Sequence, residues 1–252
     1  IIGGGGHGLS TAYYLSNVYG INNVAVLEKG WIGSGNIGRN TTIIRSNYML
    51  PGNEPFYELS LKLWEGLEQD FNYNAMISQR GIINLFHSDG QRDAYARRGN
   101  AMLLEGADAE LLDEESVRDI CPFLDFDNAR FPIKGGLMQK RGGTVRHDAV
   151  AWGYARAISS WGVDIIENCE VVGIKKNKNK ISSVQTTKGD ISCEKMCFVV
   201  AGNSSVLAEL CGFRLPVESV ALQALVSEPI KPVMNCVVTV SYTHLTLPTS
   251  YP

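Results

Sequence analysis

The sequence opens with Ile1-Ile2-Gly3-Gly4-Gly5-Gly6-His7-Gly8, and this stretch decides the fold. Gly3, Gly5 and Gly8 fit the pattern G-x-G-x-x-G, in which a strand turns into a helix beneath a pyrophosphate. The first glycine permits the sharp turn, the second permits close approach of the phosphates, and the third lets helix and strand pack closely. Because the N–H groups at the start of a helix attract anions, the stretch predicts a dinucleotide-binding turn.

The residues after the turn support this interpretation. Apolar side chains recur at helical spacing up to Tyr19, Gly20 is placed to cap the helix, and residues 24–28 have the composition of a second strand. Glu28 lies 20 residues after Gly8, where a carboxylate can accept hydrogen bonds from both ribose hydroxyls of an adenine dinucleotide. Glycines alone would also suit an ordinary loop in a chain with 26 Gly, so the prediction depends on this order of elements.

Composition excludes several classes of protein. The chain has 252 residues, of which 44% are hydrophobic and 19% charged, and a net charge of -3 gives no support to nucleic-acid binding. No apolar run reaches the roughly 20 residues that cross a bilayer. The six cysteines show no C-x-x-C pair or metal-ligand spacing, and there are only four histidines. We therefore expect reduced thiols, a cytoplasmic location, no metal site, and neither nucleic acid nor membrane as a partner.

Further elements follow from periodicity and capping signals. Leu59, Leu63 and Leu67 predict the apolar face of a helix, residues 196–201 predict a buried parallel strand, and the four tryptophans are expected in the core. The predicted helices cover residues 9–19, 55–67, 92–104, 111–120, 148–161 and 204–211. The predicted strands cover residues 24–28, 41–45, 77–87, 163–166, 171–174, 181–187 and 196–201.

This order suits an α/β flavin-binding fold better than a plain dehydrogenase, because the nucleotide domain is interrupted early. We expect a Rossmann-like FAD-binding domain interleaved with an α+β substrate domain. The FAD-binding domain is assigned to residues 1–78 and 145–212, and a partial substrate domain, in which the family resemblance described below also implies FMN, to 79–144 and 213–238. The chain starts without Met, and residues 239–252 shift to Thr, Ser and Pro without helix or strand period. We therefore expect a truncated fragment with a non-native tail at 239–252.

Several blocks carry a family resemblance. They are GGGGHGLSTAYYL, NVAVLEKGWIGSGN, RNTTIIRSNY and RHDAVAWGYARA. Together they resemble the beta subunits of bacterial heterotetrameric sarcosine oxidases, within the D-amino-acid-oxidase-like flavoprotein superfamily, from Ile1 to about Val238. The resemblance implies a D-amino-acid-oxidase-like fold, non-covalent FAD where sarcosine is oxidised, and covalent FMN that passes electrons to oxygen. It also implies a second half, with a substrate-binding lysine, that is not present here.

The resemblance implies that FMN is attached through the histidine of the RHDAV motif, which is His147. Relatives often have a second histidine where this chain has Ala149. A helix N-terminus favours a neutral imidazole able to attack the flavin, and Lys140, Arg141 and Arg146 are candidates to hold the FMN phosphate. The alternative is the start of a helix beside a solvated basic loop.

The resemblance also implies that the arginine ending the I-I-R segment, Arg45, binds the substrate carboxylate. A planar, permanently charged fork suits that bidentate contact. Some relatives have another arginine where this chain has Thr42, so the role of that second arginine is absent here. For Arg45 itself, the alternative is an ordinary surface ion pair. Arg39 and Asn40 are candidates to contact the FAD pyrophosphate.

The FAD candidates share places at strand ends and turns, with Val171 assigned to adenine through its backbone. They are Gly3, Gly5, Gly6, Gly8, Glu28, Lys29, Val171, Ala201 and Gly202. The implied activity is oxidation of sarcosine to glycine and formaldehyde, or to a one-carbon unit captured by tetrahydrofolate on a partner subunit of a hetero-oligomer. Two alternatives stay open. One is a related amine oxidase or dehydrogenase acting on dimethylglycine, glycine or proline, and the other is a flavin-binding electron-transfer subunit without an active site. We expect the fragment alone to be inactive.

Overall fold

The computed structural model describes residues 1–48, 52–178 and 180–240, and these form two compact units. The first unit comprises Ile1–Thr42, Glu68–Met76 and Arg146–Val226, and the second comprises Ile43–Leu67, Ile77–Val145 and Ser227–Pro252. Residues 43–67 therefore belong to the second unit and 213–226 to the first, unlike the boundaries expected from the sequence. Which functions the two units carry stays a prediction.

The elements are numbered in chain order. The helices are α1 Gly6–Tyr19, α2 Glu54–Phe71, α3 Asp89–Leu104, α4 Glu114–Ile120, α5 His147–Ser160 and α6 Ser204–Leu210. The strands are β1 Ala25–Leu27, β2 Ile43–Ile44, β3 Ile82–Phe86, β4 Glu110–Asp113, β5 Gly135–Gln139, β6 Gly143–Thr144, β7 Asp164–Ile166, β8 Val171–Asn177, β9 Lys180–Thr186, β10 Gly189–Ser192 and β11 Val237–Val240. In the described ranges, no helix combines the length and apolar composition that a membrane crossing requires.

Helix α1 of the first unit confirms the element predicted after the glycines. Leu9, Ala12 and Tyr13 are buried on one face, which packs against α5. Gly20 ends the helix in the left-handed conformation with φ 65°, and its N–H reaches the carbonyl oxygens of Leu15 and Ser16. Only glycine adopts this conformation without strain, so the sequence signal and the observed cap agree.

A parallel pair, β1 with β7, lies beside Ile2, which bridges Leu27 on one side and Phe198 on the other. The predicted strand at 196–201 is wrong in extent, because within this segment only Phe198 forms a bridge, and the segment is half-buried or exposed rather than buried. The reason is the short partner, since the chain turns at Gly3 directly after Ile2. This segment pairs with Ile2 through two backbone hydrogen bonds, from Ile2 N to Cys197 O and from Val199 N to Ile2 O.

The polar hairpin predicted in the first unit is confirmed as β8 and β9, and a third antiparallel strand extends it. The order is β10-β9-β8, with Ile191 opposite Val184. The inner faces of these strands join Ile2, Leu27 and Leu207 in one apolar cluster. The hairpin is therefore packed against Ile2, β1 and α6 of its own unit.

The second unit is built on a four-stranded mixed sheet in the order β11-β3-β5-β4. All five residues of β3 are buried, and helices α3 and α4 contact β5. Strand β11 is parallel to β3, with Thr239 opposite Asn84 and Val240 opposite Leu85. The expectation that residues from 239 onward lack strand structure is therefore wrong for Thr239 and Val240, because their backbones complete this sheet. Residues 241–252 lie outside the described residues.

Two other expectations for the second unit need correction. Residues 110–113 form β4, and α4 begins only at Glu114, because the Asp113 side chain accepts from Ser116 N and caps the helix. On α2, Leu67 is buried as expected, but Leu59 and Leu63 are 58% and 43% exposed, whereas Leu61 is fully buried. The buried side of the helix therefore includes Leu61, Leu67 and Glu58, which is 6% exposed and accepts a hydrogen bond from Ser46 Oγ.

Candidate functional site

The glycine turn of the first unit has the geometry that its spacing predicts. Gly3 has φ 106°, and a Cβ there would lie 2.2 Å from the carbonyl oxygen of Val199. A Cβ on Gly8 would lie 1.9 Å from the carbonyl oxygen of Gly3. Apart from its two chain neighbours, a Cβ on Gly5 would meet no atom of the described residues within 4 Å. Gly3 and Gly8 are therefore required by the close packing of the turn, while Gly5 borders open space.

The N-terminus of α1 is suited to an anionic ligand. Gly5 is the N-cap, no side chain caps the helix, and no acidic residue lies in its first turn. The first N–H groups of a helix have no intrahelical partners and carry the positive end of its dipole. The open space at Gly5, together with these donors, fits a pyrophosphate.

The Glu28 carboxylate is held in place by its own unit. Its Oε2 accepts from Gly4 N at 2.9 Å and its Oε1 accepts from Gly30 N at 2.8 Å. Each oxygen keeps a lone pair for a further donor, so the carboxylate is oriented to accept ribose hydroxyls. Glu167 supports the following loop by accepting from Ile32 N at 2.6 Å, a contact over 135 residues that no local pattern indicates.

The other predicted FAD residues fall into three environments. Lys29 and Arg39 are exposed, as are Ala201 and Gly202. Asn40 uses its side chain on the loop, donating to Ile37 O at 2.7 Å and accepting from Thr42 N at 2.6 Å. Val171 pairs with Thr186 and buries its side chain in the apolar cluster, which leaves only its backbone for a ligand. Their roles toward FAD stay predictions.

A cleft of about 780 Å³ lies on the first unit beside the start of α5. His147 is the first residue of this helix and lines the cleft, and its Nδ1 is buried without a hydrogen-bond partner among the described residues. The lining also includes Trp31, Trp152, Arg156 and Glu167. The expectation that these two tryptophans are core residues is wrong, because Trp31 is 64% and Trp152 51% exposed at this cleft.

The three cations predicted for the FMN phosphate all bind carboxylates. Lys140 Nζ lies 2.6 Å from Glu110 Oε2, and both side chains are largely exposed. Arg146 contacts the two oxygens of Asp148 at 2.7 and 3.0 Å. These ion pairs raise the pKa of Lys140 and of Arg146 and lower that of Asp148. A phosphate role for these side chains requires exchange of a solvated ion pair and stays a prediction.

Arg141 is more deeply engaged than the other two. It donates to both oxygens of Glu65 at 2.8 and 2.9 Å and also binds Glu58, whose side chain is 7% exposed. The Glu65 contact raises the pKa of Arg141, and the same hydrogen bond lowers the pKa of Glu65. Glu58 in turn accepts from Ser46 Oγ at 2.9 Å. Arg141 therefore neutralises carboxylates of its own unit.

Arg45, also in the second unit, has the opposite environment. Its guanidinium lies 4.4 Å from the centre of the Tyr48 ring, and none of the ion pairs among the described residues includes it. Its Nε is buried without a hydrogen-bond partner in the described ranges. The alternative of a surface ion pair is thus not what the structure contains. Asn47 and Arg98 lie in the same region and were missed, because residues 45–47 and α3 meet only through the tertiary fold.

Comparison with known proteins gives the family. The model of the family described as FAD dependent oxidoreductase matches residues 1–249, which extends beyond the expected limit near Val238. The sarcosine oxidase subunit beta of Rhizobium meliloti (strain 1021) is 68% identical over 97% of this chain and 59% of its own length. The subunit of that description from Rhodobacter capsulatus is 50% identical, with the same coverage. The chain thus spans about three fifths of these relatives.

Solved structures share the fold. L-proline dehydrogenase from P. horikoshii superposes with a TM-score of 0.81 at 21% identity, covering 95% of this chain and 63% of the other. Glycine oxidase from Geobacillus kaustophilus gives a TM-score of 0.77 at 19% identity, covering 95% and 65%. The expected fold is confirmed by these neighbours and by the family match. With the glycine turn, the Glu28 carboxylate and a family model that covers nearly the whole chain, the protein belongs to the FAD dependent oxidoreductases.

Proposed function

We propose that the full-length protein is a subunit of an enzyme that oxidises sarcosine to glycine and formaldehyde. The observation that carries this proposal is the 68% identity to a sarcosine oxidase subunit beta over 97% of the chain. Bound FAD supplies a two-electron acceptor for the hydride that leaves the amine's methyl carbon. The oxidised amine is then hydrolysed, or its one-carbon unit passes to tetrahydrofolate on a partner subunit.

In this proposal the first unit holds FAD through residues whose geometry fits it. The N–H groups at the start of α1 bind the pyrophosphate, next to the open space at Gly5, and Glu28 accepts from the ribose. Lys29, Arg39 and Asn40 are proposed contacts from the following loop, and Val171, Ala201 and Gly202 are proposed contacts through their backbones. These residues bind and orient the cofactor and take no part in bond breaking.

Arg45 is proposed to bind the carboxylate of sarcosine. Support comes from the lack of an ion pair and of an acceptor for its buried Nε among the described residues, since a buried donor without an acceptor is costly unless a ligand supplies one. Holding the carboxylate fixes the orientation of the amine and its methyl group, which lowers the entropic part of the barrier.

His147 is proposed to attach FMN, which when bound would pass electrons to oxygen. Its buried Nδ1 and the cleft of about 780 Å³ support this assignment. Arg146, which is exposed, and more weakly Lys140 and Arg141 remain the proposed phosphate contacts. Acid-precipitated wild-type protein should retain yellow FMN, and His147→Ala should lose it while His87→Ala keeps it. A colourless wild-type pellet, or a yellow His147→Ala pellet, would refute the attachment.

Both of the similar proteins from Rhizobium meliloti and Rhodobacter capsulatus are beta subunits of sarcosine oxidases, which supports a multi-subunit enzyme. We therefore propose other subunits as partners, and the cytoplasm as the location, where the six free cysteines would stay reduced.

The test is an assay of the uninterrupted gene product with its partner subunits. Sarcosine should be turned over with a kcat/KM at least about tenfold above those for dimethylglycine, glycine and proline, since discrimination by one small group is worth about this much. Preference for one of the other amines would replace the substrate assignment. Sarcosine kinetics unchanged by Arg45→Gln would favour an electron-transfer subunit without its own active site.

A further inference from the structure

Three polar residues of the second unit form what we call the arginine cluster: Arg45, Asn47 and Arg98. Arg45 and Asn47 follow β2, and Arg98 lies in α3. The Arg98 Nη2 donates a hydrogen bond to the backbone carbonyl oxygen of Asn47. This contact spans 51 residues and places a helix cation beside the segment that carries Arg45.

Unmet hydrogen-bonding capacity is concentrated in the cluster. Six buried side-chain nitrogen or oxygen atoms have no partner among residues 1–48, 52–178 and 180–240, and four of them belong to these three residues. They are Arg45 Nε, Arg98 Nε, and both Nδ2 and Oδ1 of Asn47. Asn47 is only 1% exposed. Because native proteins leave few such atoms, this concentration indicates a ligand that the cluster is built to contact.

The cluster also lacks a counter-charge. None of the ion pairs in the described ranges includes Arg45 or Arg98. Burial, together with the charge of Arg45, lowers the pKa of Arg98. The Arg45 guanidinium packs on Tyr48, whose ring is stacked on Tyr57 at 4.1 Å, so an aromatic pair supports one side of it. An anion between the two guanidinium groups would relieve their repulsion and supply acceptors.

We propose that Arg98 is a second contact for the substrate's carboxylate, acting with Arg45 and the amide of Asn47. This inference rests on the proposed function and extends it to a residue on a different element. A small carboxylate fits because it offers two acceptor oxygens to two planar donor forks. The two buried Nε atoms and the Asn47 Nδ2 supply three donors for those oxygens.

The test uses the full-length protein with FAD and partner subunits. The probe is methoxyacetate, an unreactive carboxylate in which an ether oxygen replaces the amine of sarcosine, and binding is followed by titration calorimetry. Arg98→Gln should raise the Kd of methoxyacetate about 10- to 100-fold, the loss expected for a charge-assisted hydrogen bond. Arg97→Gln is the matched control, because Arg97 is the exposed neighbour on α3 and its loss removes the same charge. It should change the Kd less than about twofold.

Arg98→Lys provides a second variant that keeps the charge and removes the planar fork. It should weaken methoxyacetate binding less than Arg98→Gln, and its KM for sarcosine should rise more than its kcat falls. Wild-type affinity in both Arg98 variants would overturn the inference. Inorganic phosphate binding the wild type more tightly than methoxyacetate would overturn the carboxylate assignment. If the wild type does not oxidise sarcosine, the proposed function fails, while the methoxyacetate titrations still decide the role of Arg98.

Discussion

Arg141 and Arg45 are two arginines of one unit with contrasting surroundings. Arg141 binds two carboxylates, one of them on the buried Glu58, and its backbone N–H donates to Asp108 at 2.8 Å. Arg45 has an aromatic ring beneath it, and its buried Nε lacks an acceptor in the described ranges. The sequence suggested a ligand-binding role for both. In the described ranges, the first guanidinium is engaged by carboxylates, whereas the second has a buried donor without an acceptor, which supports the proposed ligand role of Arg45.

The difference has opposite energetic consequences. Removing one member of a buried ion pair leaves an uncompensated charge, so the Arg141 group is costly to disrupt. Removing a half-buried cation without a partner takes away a desolvated donor and exposes no new charge. Stability and ligand binding should therefore respond separately to changes at the two sites.

The largest effect is expected from Arg141→Met in the full-length protein. The buried Glu58 would lose its counter-charge, and we expect the free energy of unfolding to fall by about 3–5 kcal/mol in urea denaturation. The double variant Arg141→Met with Glu58→Gln should recover part of this loss, because the remaining side chain is neutral. A loss in the free energy of unfolding below about 1 kcal/mol would show that Arg141 does not stabilise the fold as a buried ion pair does.

The next effect is the pH dependence of the same group. The hydrogen bond from Arg141 holds the pKa of Glu65 below its ordinary value of 4.5. A carboxylate with a lowered folded pKa contributes stability that is complete above its unfolded pKa and is lost as the pH falls through the folded one. The stability difference between wild type and Arg141→Met should be constant from pH 7 to about 5 and shrink below about 4.5. Glu65→Gln should reduce that acid dependence, and an unchanged acid profile would contradict the assignment.

A smaller effect is expected for stability at Arg45. Arg45→Gln should change the free energy of unfolding by less than about 0.5 kcal/mol, or raise it, because no ion pair is broken. The measurement is urea denaturation of Arg45→Gln and Arg141→Met under the same conditions, so that their free energies of unfolding can be compared. A loss of more than about 2 kcal/mol would show that Arg45 serves the fold, as Arg141 does.

The smallest effect is expected at Lys140. Its pair with Glu110 is exposed on both sides, so solvent screens it. Lys140→Met should leave the urea midpoint unchanged within error, and it serves as the neighbouring control for Arg141→Met. A clear shift in the urea midpoint of Lys140→Met would show that the difference in exposure between Lys140 and Arg141 does not determine their contributions to stability.

The local parts of this molecule could be predicted from its sequence. The Gly3–Gly8 turn, the cap at Gly20 and the placement of Glu28 depend on residues close in the chain, and each was confirmed in its geometry. The mixed sheet was harder to predict, because β11 joins β3 across more than 150 residues. The exposure of Trp31 and Trp152 likewise depends on which elements lie opposite them, which no periodicity reports.

The candidate site divides in the same way. Arg45 could be singled out from its motif, and its buried Nε has no hydrogen-bond partner in the part of the chain that the structure describes. Arg98 could not be predicted from the sequence. It is one of several arginines on α3, and no neighbouring residue in the sequence indicates its contact with Asn47. For Arg141 the local pattern was ambiguous, since a basic residue beside glycines suits a phosphate as well as it suits the two carboxylates from α2 that it contacts. Its phosphate role stays a prediction.

The proposed role of Arg45 in binding the substrate's carboxylate can be measured by comparing a charged substrate with a neutral one. The ratio of kcat/KM for sarcosine to that for sarcosinamide, its neutral amide, should be determined for the full-length wild type and for Arg45→Gln. We predict that the substitution lowers kcat/KM for sarcosine about 100-fold and that for sarcosinamide less than about threefold, so that the ratio collapses. A ratio unchanged by the substitution would contradict the account.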